Sequence, residues 1–123
     1  MIVGIGNDII EIERIKGAIE RHKERFLART FTAREQEYCF RHKEAHRHFA
    51  GRFAAKEAVV KAMGTGFRDG IEFLDVEILN DPLGKPYVRL SPMLQERIGH
   101  VSIHLSISHC NEYAAAVAIM DSP

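Results

Sequence analysis

The sequence lacks an excess of charge of either sign: 17 lysines and arginines balance 17 aspartates and glutamates. Net charge therefore points to no nucleic acid, and any electrostatic function must come from local clustering. No apolar run reaches the roughly 18 residues of a membrane-spanning helix, so no transmembrane segment and no membrane partner are expected. Cysteine is scarce. Cys39 and Cys110 fit no disulfide framework or metal spacing, and read as reduced thiols of a cytoplasmic protein without catalytic duty. The opening MIVGIGNDII has neither the basic n-region nor the small-residue cleavage site of a secretory leader. Repeats, low-complexity tracts and linkers are missing too. What is left, 123 residues of which 46% are hydrophobic and 28% charged, suits one globular domain over residues 1–123.

The chain is punctuated clearly. Ile2 to Gly6 reads as a strand weakened by two glycines, with Asp8 just past it in a loop or bulge. Ile12, Ile15, Ile19 and Phe26 recur at helical spacing, which predicts a helix over about 12–26. TARE, from Thr32 to Glu35, is a capping box, so a second helix runs to about Arg41. The polar, histidine-rich RHKEAHRH leads into an apolar helix from about Phe49 to Met63, ended by the glycines of GTG. IEFLDVEIL alternates as a strand with Leu74, Val76 and Ile78 on one face, and YVRL returns after a turn. Ser91, Pro92 and Gly99 bound a short helix. In VSIHLSIS, Val101, Ile103, Leu105 and Ile107 face one way and Ser102, His104, Ser106 and Ser108 the other. Tyr113 to Met120 returns as its antiparallel partner. The order β-α-α-α-β-β-α-β-β implies an α+β fold, an antiparallel sheet with helices packed on one side.

Chemistry concentrates in RFAAKEAVVKAMGTG, from Arg52 to Gly66. Glu57 and Lys61 sit one turn apart on a helix apolar nearly all round, and such a helix is usually buried. Two readings stand. One is an ion pair within the helix, worth about 0.2–0.5 kcal/mol on an isolated helix. The other is a carboxylate held inside by a metal or a partner charge. Asp8 offers a second carboxylate, and two carboxylates with waters and substrate phosphates suit magnesium. Lys61 would then touch the same phosphates. Arg52 and Lys56 form an all-basic pair that repels itself unless an anion lies between them. The glycine turns are either structural or places of close approach to a ligand.

His109 closes an exposed strand face before a turn, as a solvated histidine or as a catalytic one. His42 and His46 have zinc-like spacing, but no third ligand stands out, and the stretch reads as a solvated basic segment. On a helical wheel Arg21 and Arg25 each fall within about 20° of Arg14, beside a stripe of Glu13, Glu20 and Glu24. That face is either a solvated mixture of charges or a docking strip for an acidic helix.

Taken together, GIGNDIIEIERI, FTAREQEYC, GRFAAKEAVVKAMGTG, GKPYV and VSIHLSISHCNEYAAAVAI resemble holo-[acyl-carrier-protein] synthase, the short type of phosphopantetheinyl transferase, in the right order along essentially the whole chain. The resemblance implies transfer of 4′-phosphopantetheine from coenzyme A to a serine of apo acyl carrier protein, for fatty acid biosynthesis. Adenosine 3′,5′-bisphosphate would be released. It implies magnesium, or manganese in its place, on Asp8 and Glu57. It implies catalytic roles for Glu57, Lys61 and His109, and coenzyme A contacts from Arg52, Lys61, Gly64 and His109. Arg14, Arg21 and Arg25 would dock the carrier protein. A homotrimer with sites at the subunit interfaces is implied as well. The stretch RHKEAHRHFA departs from the usual lysine-rich run, leaving Lys43 and Arg47 as candidates for the 3′-phosphate. The proton acceptor is either Glu57 or a magnesium-bound water. Two other classes compete: a non-catalytic carrier-binding module, which needs no Asp8–Glu57 pair, and the broad-specificity transferases of peptide synthetases, which resemble two such domains fused.

Overall fold

Glycines take inward positions of the first strand and alternate with exposed side chains, and this sets the layering of the molecule. The computed structural model describes residues 1–123. In chain order it contains β1 (Ile2–Glu11), α1 (Ile12–Thr30), α2 (Ala33–Phe40), α3 (Ala45–Met63), a 3-10 turn at Phe73–Asp75, β2 (Val76–Asn80), β3 (Pro86–Leu90), α4 (Pro92–Ile98), β4 (Ser102–His109) and β5 (Tyr113–Asp121). The expected order and the α+β class hold. The strands form two antiparallel sheets rather than one: β1-β5-β4, and the hairpin β2-β3. The chain turns through α4 after β3, and no ladder joins β3 to β4.

Helix α3 lies across the inner face of the three-stranded sheet and is the centre of the core. Ala54, Ala55, Ala58, Val59 and Val60 are fully buried. The strand β5 meets it with Ala114, Ala116 and Ala118, opposite Ile10, Asp8 and Gly6 of β1. Small residues on both sides bring backbone against backbone. A Cβ on Gly4 would lie 2.0 Å from the Ala62 carbonyl oxygen, and one on Gly6 would lie 2.1 Å from that of Ala58. The two glycines do not weaken the strand; they are what lets it reach the helix.

A buried polar knot ties on the second layer. Glu35 closes the capping box of α2 by accepting from the Thr32 N–H at 2.8 Å. It also accepts from Lys56 Nζ on α3 and from the Ile78 N–H on β2, each at 2.8 Å. Glu35 and Lys56 are both wholly buried, and Lys56 donates further to the Phe73 carbonyl at 2.9 Å. A buried pair of this kind survives only when its remaining hydrogen bonds are made. Lys56 is thus spent inside the core and forms no anion-facing pair with Arg52.

Four boundaries differ from expectation. Pairing with β5 carries β1 on to Glu11, so Asp8 lies within a strand, opposite Ala116. Helix α1 continues to Thr30 but is broken at Lys23, whose φ is 40° and ψ −121°. Helix α3 starts at Ala45, four residues early. The stretch 73–75 coils into the 3-10 turn, so Val76 and Ile78 are buried while Leu74 is exposed.

Two alanine substitutions separate these roles of glycine. Gly6→Ala is expected to cost about 3 kcal/mol or more, since backbone must move to admit the methyl. Gly17→Ala in α1 meets only the Arg21 guanidinium, at 3.1 Å, and is expected to gain about 0.5–1 kcal/mol. Urea unfolding of the two variants checks both signs.

Candidate active site

Asp8 leaves the inward face of β1 between Gly6 and Ile10, and so points at α3. Glu57 and Lys61 occupy the last turns of that helix. Lys61 Nζ donates to Asp8 Oδ1 and to the Asn7 carbonyl, both at 3.0 Å. The lysine therefore pairs across to the strand, and the intrahelical Glu57–Lys61 ion pair does not form. Burial, and next the like charge of Asp8, push the Glu57 carboxyl above its ordinary range, while Lys61 pulls it partly back. Two carboxylates thus share one corner with a single ammonium. No third histidine, cysteine or acid joins them. Two oxygen donors with room for waters and phosphate oxygens fit magnesium, which rarely takes an all-protein cage.

Gly64 ends α3 in the left-handed conformation, φ 80°, and nothing lies within 4 Å of a Cβ built on it. The backbone after Lys61 is consequently open.

The other expected residues gather elsewhere. Arg52 lies about 140° round the helix from Glu57 at 100° per residue. It is almost completely buried, donates to Asn80 Oδ1, and stacks 4.0 Å over the Tyr38 ring. Its Nε has no partner. His109 ends β4 on the inward side shared with Ile107, not on the polar outer face, and its ring is 6.0 Å from that of His48. His48 precedes Glu57 by nine residues on α3, about 13 Å along the axis. Within one chain, then, Asp8, Glu57 and Lys61 form one group, and Arg52 and His109 another.

Helix α1 exposes Arg14, Arg21 and Arg25. The break at Lys23 removes Arg25 from the straight-wheel register that aligned it with the other two. Beyond the break lies an apolar cavity of about 600 Å³, walled by Phe26, Arg29, Phe53, Phe67, Ile71 and Phe73. Phe53 is one turn before Glu57, so the cavity flanks the carboxylate face of α3. Sequence reading missed this cavity, because its phenylalanines come from three distant stretches; their recurrence in an otherwise aromatic-poor chain was the only signal.

The segment from 41 to 48 is rearranged relative to expectation. His42 stacks on His48, ring centroids 3.7 Å apart, rather than pairing with His46. Arg47 is held by Glu44 at 2.8 Å and by Asn111 at 3.0 Å, and Lys43 is exposed. Both cysteines are free. Burial pushes the Cys39 thiol up to about 12, which makes it inert.

The shared corner has a measurable consequence. In the metal-free protein, Asp8→Asn is expected to bring the Glu57 pKa down, read by carboxyl ¹³C titration. Glu57 binds its proton more tightly folded than unfolded, so its ionisation costs stability as pH rises through the folded pKa. Glu57→Gln should therefore raise the melting temperature at pH 7 and lose that gain below about pH 4, the unfolded carboxyl range.

Residues 4–118 match the 4′-phosphopantetheinyl transferase superfamily. The holo-[acyl-carrier-protein] synthase of Protochlamydia amoebophila is 58% identical over 99% of this chain and 100% of its own. The crystal structure of the Neisseria meningitidis holo-[acyl-carrier-protein] synthase superposes with a TM-score of 0.90 at 34% identity, covering 99% of this chain and 100% of that one. The Bacillus anthracis synthase, solved in complex with CoA (3′,5′-ADP), gives a TM-score of 0.85 at 41% identity over 100% of this chain and 99% of its own. With its strand-held Asp8 facing Glu57 and Lys61, and with this match from end to end, the chain belongs to the holo-[acyl-carrier-protein] synthase family of the 4′-phosphopantetheinyl transferases.

Proposed function

We propose that this chain, as one domain of residues 1–123, transfers 4′-phosphopantetheine from coenzyme A to a serine of apo acyl carrier protein, in the cytoplasm and for fatty acid biosynthesis. The observation that carries this reading is the Asp8–Lys61–Glu57 corner, where an ammonium 3.0 Å from Asp8 shares space with a carboxyl pushed upward by burial. The serine oxygen forms a bond to the phosphorus that bears the pantetheine arm. The bond from that phosphorus to the bridging oxygen breaks, and adenosine 3′,5′-bisphosphate leaves. Magnesium, or manganese, on Asp8 and Glu57 would act as Lewis acid and template for the diphosphate.

The chain's own groups do the rest. Serine is a poor nucleophile until its proton is taken. Glu57, whose carboxyl burial pushes above its ordinary range, or a water beside it would accept that proton. Lys61, half exposed, stabilises charge on the departing phosphate. The open backbone at Gly64 admits the diphosphate, while Arg52 and His109 hold the nucleotide end.

The separation of Arg52 and His109 from the carboxylates supports a homotrimer whose sites lie at subunit interfaces, with His109 of one copy facing the carboxylate corner of the next. The outer sheet face supports it too. Ile5 is 68% exposed and Ile9 66%, beside Val117 and Tyr113, an apolar patch of the kind that marks an interface. An acidic carrier helix would dock along Arg14 and Arg21, with Arg25 and the Phe26–Phe53 cavity at the far end. Neither nucleic acid nor membrane is a partner in this reading, and no helix is long and apolar enough to cross a bilayer.

Mass spectrometry of apo carrier protein incubated with coenzyme A, magnesium and this protein tests the reaction. A gain of one phosphopantetheine is expected, and none with Asp8→Ala or Glu57→Ala alone. Mixing Asp8→Ala chains with His109→Ala chains should restore part of the activity. No rescue, despite demonstrated subunit exchange, would return both groups to one chain.

Docking makes a separate demand. Exposed charge pairs contribute about 0.2–1 kcal/mol each, so Arg14→Glu with Arg21→Glu should raise KM for the carrier severalfold. KM for coenzyme A should stay within experimental scatter. Added salt should move the wild type toward the variant, because exposed charges are screened.

A further inference from the structure

Away from the carboxylate corner, cationic and protonatable groups converge with no acid among them. His48 of α3 has His42 stacked on it at 3.7 Å, from the α2–α3 connection. The His109 ring of β4 stands 6.0 Å away, and Tyr38 of α2 stands 5.9 Å away. Arg52, one turn along α3, lies over the other part of the Tyr38 ring at 4.0 Å. His42 Nδ1 is engaged by the Tyr38 carbonyl at 2.9 Å, which leaves its Nε2 for another partner. The neighbouring acids are already committed, Glu44 to Arg47 at 2.8 Å and Glu37 to Arg41 at 2.6 Å. The buried Arg52 keeps an Nε without any partner.

Every charge that reaches His48 is of one sign. Burial first, then His42, Arg52, His109 and Arg47, push its pKa down to about 4. Left alone, His48 stays unprotonated near neutrality. An anion reverses this, because an opposite charge within a few ångströms favours the imidazolium. The cluster is stacked, aromatic on one side and held by three elements, so it offers a preformed place rather than a flexible one.

We propose that His48 and His42, together with His109, form a proton-loading phosphate site, which receives the phosphate monoester at the nucleotide end of the donor and takes up a proton as it binds. The inference rests on the reading that Arg52 and His109 hold that end. It adds two histidines and a pH dependence. The sign follows from linkage: a group whose pKa rises on binding takes up protons, so affinity grows as pH falls through the bound-state pKa. The trend stops where the phosphate itself protonates, near pH 6.

Calorimetric titration of the full chain with adenosine 3′,5′-bisphosphate, at several pH values from 6.5 to 8.0 and in buffers of different ionisation enthalpy, reads both affinity and proton uptake. The wild type is expected to take up a proton and to bind about tenfold more weakly at pH 8.0 than at pH 6.5, within the roughly 30-fold limit for one linked group over that range. His48→Phe, which keeps a ring in the stack, and His48→Gln should each lose at least half of the uptake and flatten the pH dependence, with melting temperature checked for both. Adding His42→Phe should flatten it further. Proton release by the phosphate is common to all variants and cancels in the comparison. Wild-type uptake and slope in both His48 variants, with binding still sensitive to Arg52→Ala, would overturn this inference and leave the donor reading standing. No binding by the wild type at any pH would remove both.

Discussion

Backbone contact between β1 and α3 is the constraint on which the site depends. A strand normally stands off a helix by the length of its side chains. Here Gly4 and Gly6 leave no Cβ to fit above the carbonyls of Ala62 and Ala58, and the alanines of β5 continue the same close approach. The next inward position on β1 is Asp8. Held at that short distance, its carboxylate reaches Lys61 at 3.0 Å and adds to the burial that raises the pKa of Glu57. A larger residue at position 6 would move the strand outward and the carboxylate with it. The glycines therefore set both the packing of the core and the spacing of the charged corner.

Helix α3 carries these duties on separate faces. One face is alanine and valine against the sheet. A second holds Lys56, which is locked with Glu35 and fixes α2 and β2 to the helix. A third holds Glu57 and Lys61, and a fourth Arg52 and His48. Because the Glu35–Lys56 knot also bonds the Ile78 N–H, it sets where Asn80, two residues on, meets Arg52. The position of the buried arginine is thereby a consequence of core geometry rather than of a local turn.

Local signals in the sequence carried far. The capping box at Thr32, the Ser91–Pro92 start of α4, the Gly64 stop and the strict alternation of β4 all read as they fold, because each is decided within a few residues. The carboxylate pair was legible too, since Glu57 on so apolar a helix demanded a partner. What failed depended on distant neighbours. Asp8 looked like a loop residue because strand glycines are usually weak points, and only the helix above them changes that meaning. Lys56 looked like half of a basic pair until Glu35, 21 residues earlier, claimed it. Arg25 looked aligned because a wheel assumes an unbroken helix, and Lys23 breaks it. The histidine stack joins residues from three elements, so the spacing of His42 and His46 could not show it.

The balanced net charge conceals two clusters of opposite character. At one end of α3, two carboxylates face one ammonium. At the other, imidazoles and guanidiniums face no acid. Each is incomplete by itself: like charges drawn together in a partly buried site raise the free energy of the folded chain. A divalent cation would relieve the first and a phosphate the second. A donor that carries both a diphosphate and a phosphate monoester can satisfy the two together, provided they are brought closer than the roughly 13 Å of helix that separates Glu57 from His48 within one chain. Apposition of two copies through the exposed Ile5 and Ile9 face would supply that approach. On this argument assembly and ligand binding would be two parts of one neutralisation, and the isolated chain would trade stability for the unsatisfied charges its proposed reaction uses.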